Sequence, residues 1–382
     1  MPNERRFSML TASRAAAVVL SLAVPAFAQP DPSGIDFVTI GAPGNPAYNG
    51  PDPTGRVTGR GSVGYEFKLS RTEVTTAQWV EFYNTFKARP DAVPDHIMPI
   101  PITWGAELDP TYTGPGRRFR LRAEADAGIR PVYGIDWRTS ARFCNWLHND
   151  KGVALSAIAN GAYDTATFAY PAPGQFSDQA TRSPGARYWI PSLDEWLKGA
   201  HYDPANPTRD GWWLYSNRSD NPFAYGPPGA GDANGGFALP GFAEYLIPLR
   251  SYPNTQSAWG LLDVAGCAAE WTEEILVVNG DMFRALDGSS VSGGIDGATS
   301  SDRVNVFGGS NAPSGANRAS GFRIATVPAA GVMGLSWAIV GVYGARRCRR
   351  SQHEFSHVRN CNGSSARGVI GTSESGSEGA VL

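Results

Sequence analysis

The stretch GLLDVAGCAAEW, residues 260–271, decides how the rest of the chain is read. It sets Asp263 and Glu270 among small residues, with Cys267 between them. Three readings fit: a reactive centre, a cation clamp, or a well-packed turn. Upstream, residues 206–259 lose all periodicity, in segments such as GWWLYSNRSDNPF and PPGAGDANGG. So long a loop region inside a folded domain needs a clamp or a functional reason. Downstream, FRALDGSS (283–290) and SGFRIAT (320–326) read as strands separated by a Gly- and Ser-rich loop.

The bulk composition agrees with a loop-rich domain. The chain has 382 residues, 42% hydrophobic and 11% aromatic, with 45 Gly and 29 Pro. Aromatic side chains that pin long Gly/Pro loops suit this mixture; a helical bundle or a repeat array does not. The formal charge is −2, and the charges are dispersed. Nothing resembles the basic stripe that nucleic acid requires, so no nucleic-acid partner is expected.

Both ends read as targeting segments. Arg5, Arg6 and Arg14 precede the apolar run Ala15–Val24 and the small-x-small pattern AFA at 26–28, so residues 1–28 read as a secretory signal peptide. Near the other end, PAAGVMGLSWAIVGVYGA (328–345) is long enough to cross a bilayer, and RRCRR (346–350) forms a basic stop. The pair resembles the C-terminal (PEP-CTERM-like) sorting signal of exported bacterial proteins. Residues 351–382 read as a polar, disordered tail. The expectation is an exported protein of the cell envelope or exterior, held to a membrane by 328–345. Cys144 and Cys267 are the cysteines ahead of that segment, which makes no disulfide framework.

Between the ends, local signals place three helices. Thr75 caps a helix carrying Trp79, Val80, Phe82 and Tyr83, with Gln78 completing a capping box. Asp136 caps a second helix with Trp137, Ala141, Cys144 and Leu147 on its buried face. Ser192 caps a short third helix, where Glu195 completes another box. FVTI (37–40) and VGYEFKLSRTEV (63–74) read as strands. With scattered strands and no βαβ rhythm, residues 31–326 read as one α+β domain.

Five blocks, taken in order, resemble the formylglycine-generating enzyme family, the sulfatase-modifying factor domains. They are KLSRTEVTTAQWVEF, PVYGIDWRTSARFCNWL, RYWIPSLDEWLKGA, GLLDVAGCAAEW and SGFRIAT. The resemblance implies a C-type-lectin-like α+β fold with much irregular structure. It also implies Ca²⁺ held by Asp263 and Glu270 side chains with the Gly266 and Ala268 carbonyls, and a second loop using Asn234 and the Gly235 carbonyl. Steps of three, two and two put alternate groups on one side of an extended loop, which suits such a clamp. A turn whose carboxylates bond backbone amides is the alternative. At Cys267 the family usually has Asn.

The family's oxygen chemistry uses two cysteines that bind copper. Aligned on Arg303, those positions fall near Ile295 and Ser300, and no cysteine occurs between Cys267 and Cys348. Neither copper nor iron is therefore expected; His96, His148 and His201 show no ligand spacing. Arg218, Asp220, Asn221, Arg303, Asn305 and Arg323 are candidates to line a cleft, although Arg303 and Arg323 could instead brace the last strand. Two functions compete: a calcium-stabilised surface module that binds peptide or glycan, or an oxidoreductase relative acting on a protein or small molecule.

Overall fold

The computed structural model describes residues 31–304 and 309–328. The expected signal peptide, the apolar segment beyond Pro328, the basic run, the tail and Asn305 lie outside the described residues. Among the described residues, no helix is long and apolar enough to cross a membrane.

Strands β1 (Phe37–Ile40) and β2 (Phe67–Ser70) pair antiparallel, with Val38 opposite Leu69. Helix α1 (Thr76–Lys87) follows at once. Its start is the reciprocal box read from sequence: the Gln78 N–H donates to Thr75 Oγ1, and the Thr75 N–H donates to Gln78 Oε1. Trp79, Phe82, Tyr83 and Phe86 are all buried on it. A short hairpin, β3 (Ala106–Leu108) and β4 (Phe119–Leu121), precedes helix α2 (Trp137–His148). Asp136 caps α2 by accepting the Thr139 N–H at 2.6 Å. Trp79 stacks on Phe143 of α2 at 5.4 Å between centroids, which locks the two helices face to face. Cys144 is fully buried there, as the helical spacing implies. Strand β5 (Tyr188–Trp189) leads into helix α3 (Leu193–His201), which starts on the Ser192/Glu195 box.

The longest strand was not legible as one. Strand β6 (Ala269–Val278) grows directly out of the opening stretch and pairs antiparallel with β7 (Asp281–Asp287). The turn between them is Asn279-Gly280, with φ of 53° and 91°. Both residues take the left-handed conformation that a two-residue hairpin needs, so the Asn-Gly pair was the available signal. Helix α4 (Ile295–Ser301) and strands β8 (Gly309–Asn311), β9 (Ser320–Gly321) and β10 (Ala325–Thr326) complete the domain.

SGFRIAT is not one strand. β9 runs parallel to β6 in a sheet ordered β8-β7-β6-β9, whereas β10 sits between β2 and β5 in a sheet ordered β1-β2-β10-β5. The residues between, Phe322 to Ile324, are buried as the chain changes sheets. That crossing carries Arg323 into the interior, 1% exposed. The result is the expected α+β domain with much irregular structure, and it places the opening stretch at the seam between the two larger sheets.

Candidate functional site

The 260–271 loop is held from several distant points. Gly266 has φ of +83°, and a Cβ there would lie 2.2 Å from Asn234 Oδ1, so only glycine fits. Asn234 uses that oxygen to accept the Cys267 N–H at 2.8 Å. Ser289 Oγ accepts the Gly266 N–H at 2.9 Å and donates to Asp302 at 2.8 Å. Glu73 Oε1 accepts the Ala268 N–H at 2.9 Å. The structure thus joins Asn234 to the opening stretch, which the sequence treated as two separate loops.

The acidic residues face different protein partners. Asp263 accepts the Arg250 N–H at 2.8 Å, and burial pushes its carboxyl up to about 6. Both Glu270 oxygens are held by Arg323 at 2.5 Å, and the Trp196 indole N–H donates to one of them at 2.8 Å. Both members of the pair are fully buried. Arranged in this way, Asp263 has a backbone N–H as its protein donor, and Glu270 has a guanidinium and an indole N–H. The guanidinium supplies positive charge at Glu270, the Asn234 oxygen accepts the Cys267 N–H, and Glu73 Oε2 is buried without a hydrogen-bond partner. Among the described residues, no three His, Cys, Asp or Glu side chains group as a metal site. Arg323 is therefore corrected from a cleft residue to the internal counter-ion of this loop, also donating to the Ser70 carbonyl at 3.0 Å and the Leu262 carbonyl at 3.3 Å.

Cys267 is not a reactive thiol. It is 1% exposed, and burial, with the nearby Glu73 and Asp263, pushes its thiol well up. Burial does the same at Cys144, and the two cysteines are not joined. Cys267 also has a φ of +48°, unusual for a residue other than Gly or Asn. The Tyr133 hydroxyl and the Asn234 amide nitrogen lie against its sulfur, without a hydrogen bond of ordinary geometry. No accessible thiol pair for copper exists among the described residues.

Beside a cleft of about 390 Å³ lined by Glu73, Gln78 and Arg250 among others, two wider clefts offer working surfaces. One, about 550 Å³, is lined by Tyr65, Arg182, Trp189 and Glu273 among others. Arg182 and the polar groups around it satisfy one another. Arg182 stacks over Trp189 at 4.1 Å and pairs with Glu195 at 3.0 Å and Glu273 at 3.3 Å, while Glu195 also closes the α3 capping box. Arg182 is thereby matched, while Glu66, also in the lining, is exposed.

The other cleft, about 650 Å³, lies between the loops around 213–218 and 254–260. It is lined by Trp213, Asn217, Arg218, Asn254, Gln256 and Trp259. Both indoles are partly exposed yet anchored: Trp213 Nε1 donates to Asp203 at 3.2 Å, and Trp259 Nε1 donates to the Lys198 carbonyl at 3.2 Å. Arg218, with φ of +61°, pairs with the same Asp203 at 3.2 Å. The Asn217 side-chain oxygen is buried without a partner. Of the residues picked from sequence for a cleft, Arg218 is the one that lines it. Asp220 turns away to Arg209 and the Leu214 N–H, and Asn221 is exposed outside it. Arg303 forms a backbone bridge to Tyr215 elsewhere. Trp213 and Trp259 escaped the sequence reading because aperiodic loops bring them together.

Helices capped locally, small sheets and long side-chain-pinned loops define an irregular α+β domain class. Within that class the chain belongs to the FGE-sulfatase family: the sulfatase-modifying factor enzyme 1-like domain matches residues 36–327. Among solved structures it is similar to CarF, at 20% identity and TM-score 0.46, covering 77% of this chain and 99% of that one. It is similar to Treponema denticola variable protein 1, at 16% identity and TM-score 0.45, covering 76% and 95%. It is also similar to PvdO from Pseudomonas aeruginosa, at 18% identity and TM-score 0.40, covering 77% and 92%. No curated protein matches it.

Proposed function

We propose that this chain is an exported, envelope-associated recognition module of its family, which binds peptide or glycan through the Trp213–Trp259 cleft without copper chemistry. The observation that carries the reading is the cleft itself: two anchored, partly exposed indoles beside amide side chains, in a concavity of ligand-binding size. Anchored aromatics give contact area at small entropic cost, and amides orient a polar ligand. The buried, high-pKa thiols at 144 and 267 speak against the oxidoreductase alternative. The arginine-led apolar run ending at Ala28 supports export, and the apolar segment from Pro328 with its arginine stop supports a membrane-held, PEP-CTERM-like end. The test is retention of the full chain on peptide and glycan arrays, beside a Trp213→Ala/Trp259→Ala variant of matched melting temperature. Retention lost in the variant supports the reading. Equal retention, or copper-dependent oxygen uptake on a cysteine peptide, overturns it.

A further inference from the structure

We infer that the cleft's ligand class is a neutral saccharide, stacked against Trp213 and Trp259 and oriented by Asn217, Asn254 and Gln256. This rests on the cleft being the binding site. Charge decides first. Arg218 is the charged member of the lining; its Nε donates to the buried Asp203 at 3.2 Å, and its side chain is 56% exposed. A basic ligand finds no carboxylate in the lining, and the Arg218–Asp203 pair as a whole carries no net charge to draw an acidic one.

Shape and hydrogen bonding decide next. The lining has two indoles, three carboxamides and Ser257, with little aliphatic surface. An aliphatic peptide side chain finds no aliphatic floor here, only flat indole faces among carboxamides. A sugar ring is different: its C–H face packs on an indole, and its hydroxyls donate and accept in turn. Carboxamides match that alternation, because each offers both an acceptor and donors. Asn217 keeps an unspent acceptor, a side-chain oxygen without a donor, which is buried as the carboxamide stands. The indole N–H groups are spent on Asp203 and Lys198, which fixes both rings and leaves their contact to the ligand apolar.

The indoles also have separate supports. Trp213 hangs from the segment after α3, whereas Trp259 is tied to the last turn of α3 itself through Lys198. A ligand touching both spans two loops and stiffens their junction.

The test titrates the full chain with cellobiose, maltotriose and N,N′-diacetylchitobiose, and with galacturonic acid oligomers and a peptide library alongside. Binding is followed by ligand-observed NMR. The expected result is binding of at least one neutral saccharide, weakened at least tenfold by Trp259→Ala and severalfold by Gln256→Ala. Trp259→Phe, which keeps an aromatic face, retains most of it and guards against simple misfolding. If peptides bind with the same Trp213/Trp259 dependence and no saccharide does, the cleft reading survives and the saccharide class is wrong. A preference for the acidic oligomers likewise overturns the class. If no probe binds, or binding ignores both indoles, the cleft reading falls as well.

Discussion

Replacing Arg323 by methionine leaves the Glu270 carboxylate in the interior without its cation. The native guanidinium is 1% exposed, Glu270 is 0% exposed, and two oxygens face two guanidinium nitrogens at 2.5 Å. The same guanidinium holds the Ser70 and Leu262 carbonyls, so the strand crossing before β10 loses its tie to β2 and to the 260–271 loop. Breaking one side of a buried pair costs about 3–5 kcal/mol, because the remaining charge has no water. For a domain of this size that is about 10 °C in melting temperature. Removing both charges is milder: Arg323→Met with Glu270→Gln should recover at least half of the loss, since no buried charge is stranded. The assay is urea denaturation of the wild type, both single variants and the double variant, read as a double-mutant cycle. A loss under about 1 kcal/mol for Arg323→Met, or no recovery in the double variant, would refute the assignment of Arg323 as the counter-ion.

Four further outcomes follow from the same geometry. Gly266→Ala puts a Cβ 2.2 Å from Asn234 Oδ1 at φ of +83°, so it should destabilise by about 2 kcal/mol or more, or abolish soluble protein; a change within about 0.5 kcal/mol of wild type in urea melts would contradict this. Cys267→Asn should raise stability by about 1 kcal/mol, because Asn tolerates φ of +48° and can engage Tyr133 and Asn234; a lower melting temperature counts against it. Burial pushes the Asp302 carboxyl up to about 7, so the folded state holds a proton that the unfolded chain has released between about pH 4 and 7. This contribution to stability is present at low pH and lost as pH rises towards 7, so Asp302→Asn should flatten the fall between pH 5 and 7; an unchanged slope would oppose it. Chelator and added Ca²⁺ should each leave the melting temperature unchanged, since Arg323 occupies the cationic role, and a calcium-dependent rise of several degrees would restore a cation to the loop.

What was legible in the sequence was what is local. The boxes at Thr75/Gln78 and Ser192/Glu195 and the cap at Asp136 close within three residues, so their spacing is their geometry. The family frame was legible because its blocks keep their order. The place of Arg323 beside Glu270 was not, because the two lie 53 positions apart and only the fold brings them together. SGFRIAT reads as one strand by alternation, but its middle is needed to deliver Arg323, and the two ends join different sheets. The cleft was half legible: Arg218 stood out as a loop charge, while nothing local set Trp213 and Trp259 apart from the other residues of the aperiodic stretch. Nothing local says that residues 213 and 259 share a wall, since each is placed by a bond to α3 or its following loop.

The most direct test of the account records the tryptophan indole N–H signals of the full, ¹⁵N-labelled chain while the best array ligand is added. The account predicts that the shifts concentrate on Trp213 and Trp259, which line the cleft, while the buried Trp79, Trp137, Trp196 and Trp271 stay still. Shifts centred on Trp189 beside Arg182, with Trp213 and Trp259 unmoved, would place recognition in the other cleft and contradict it.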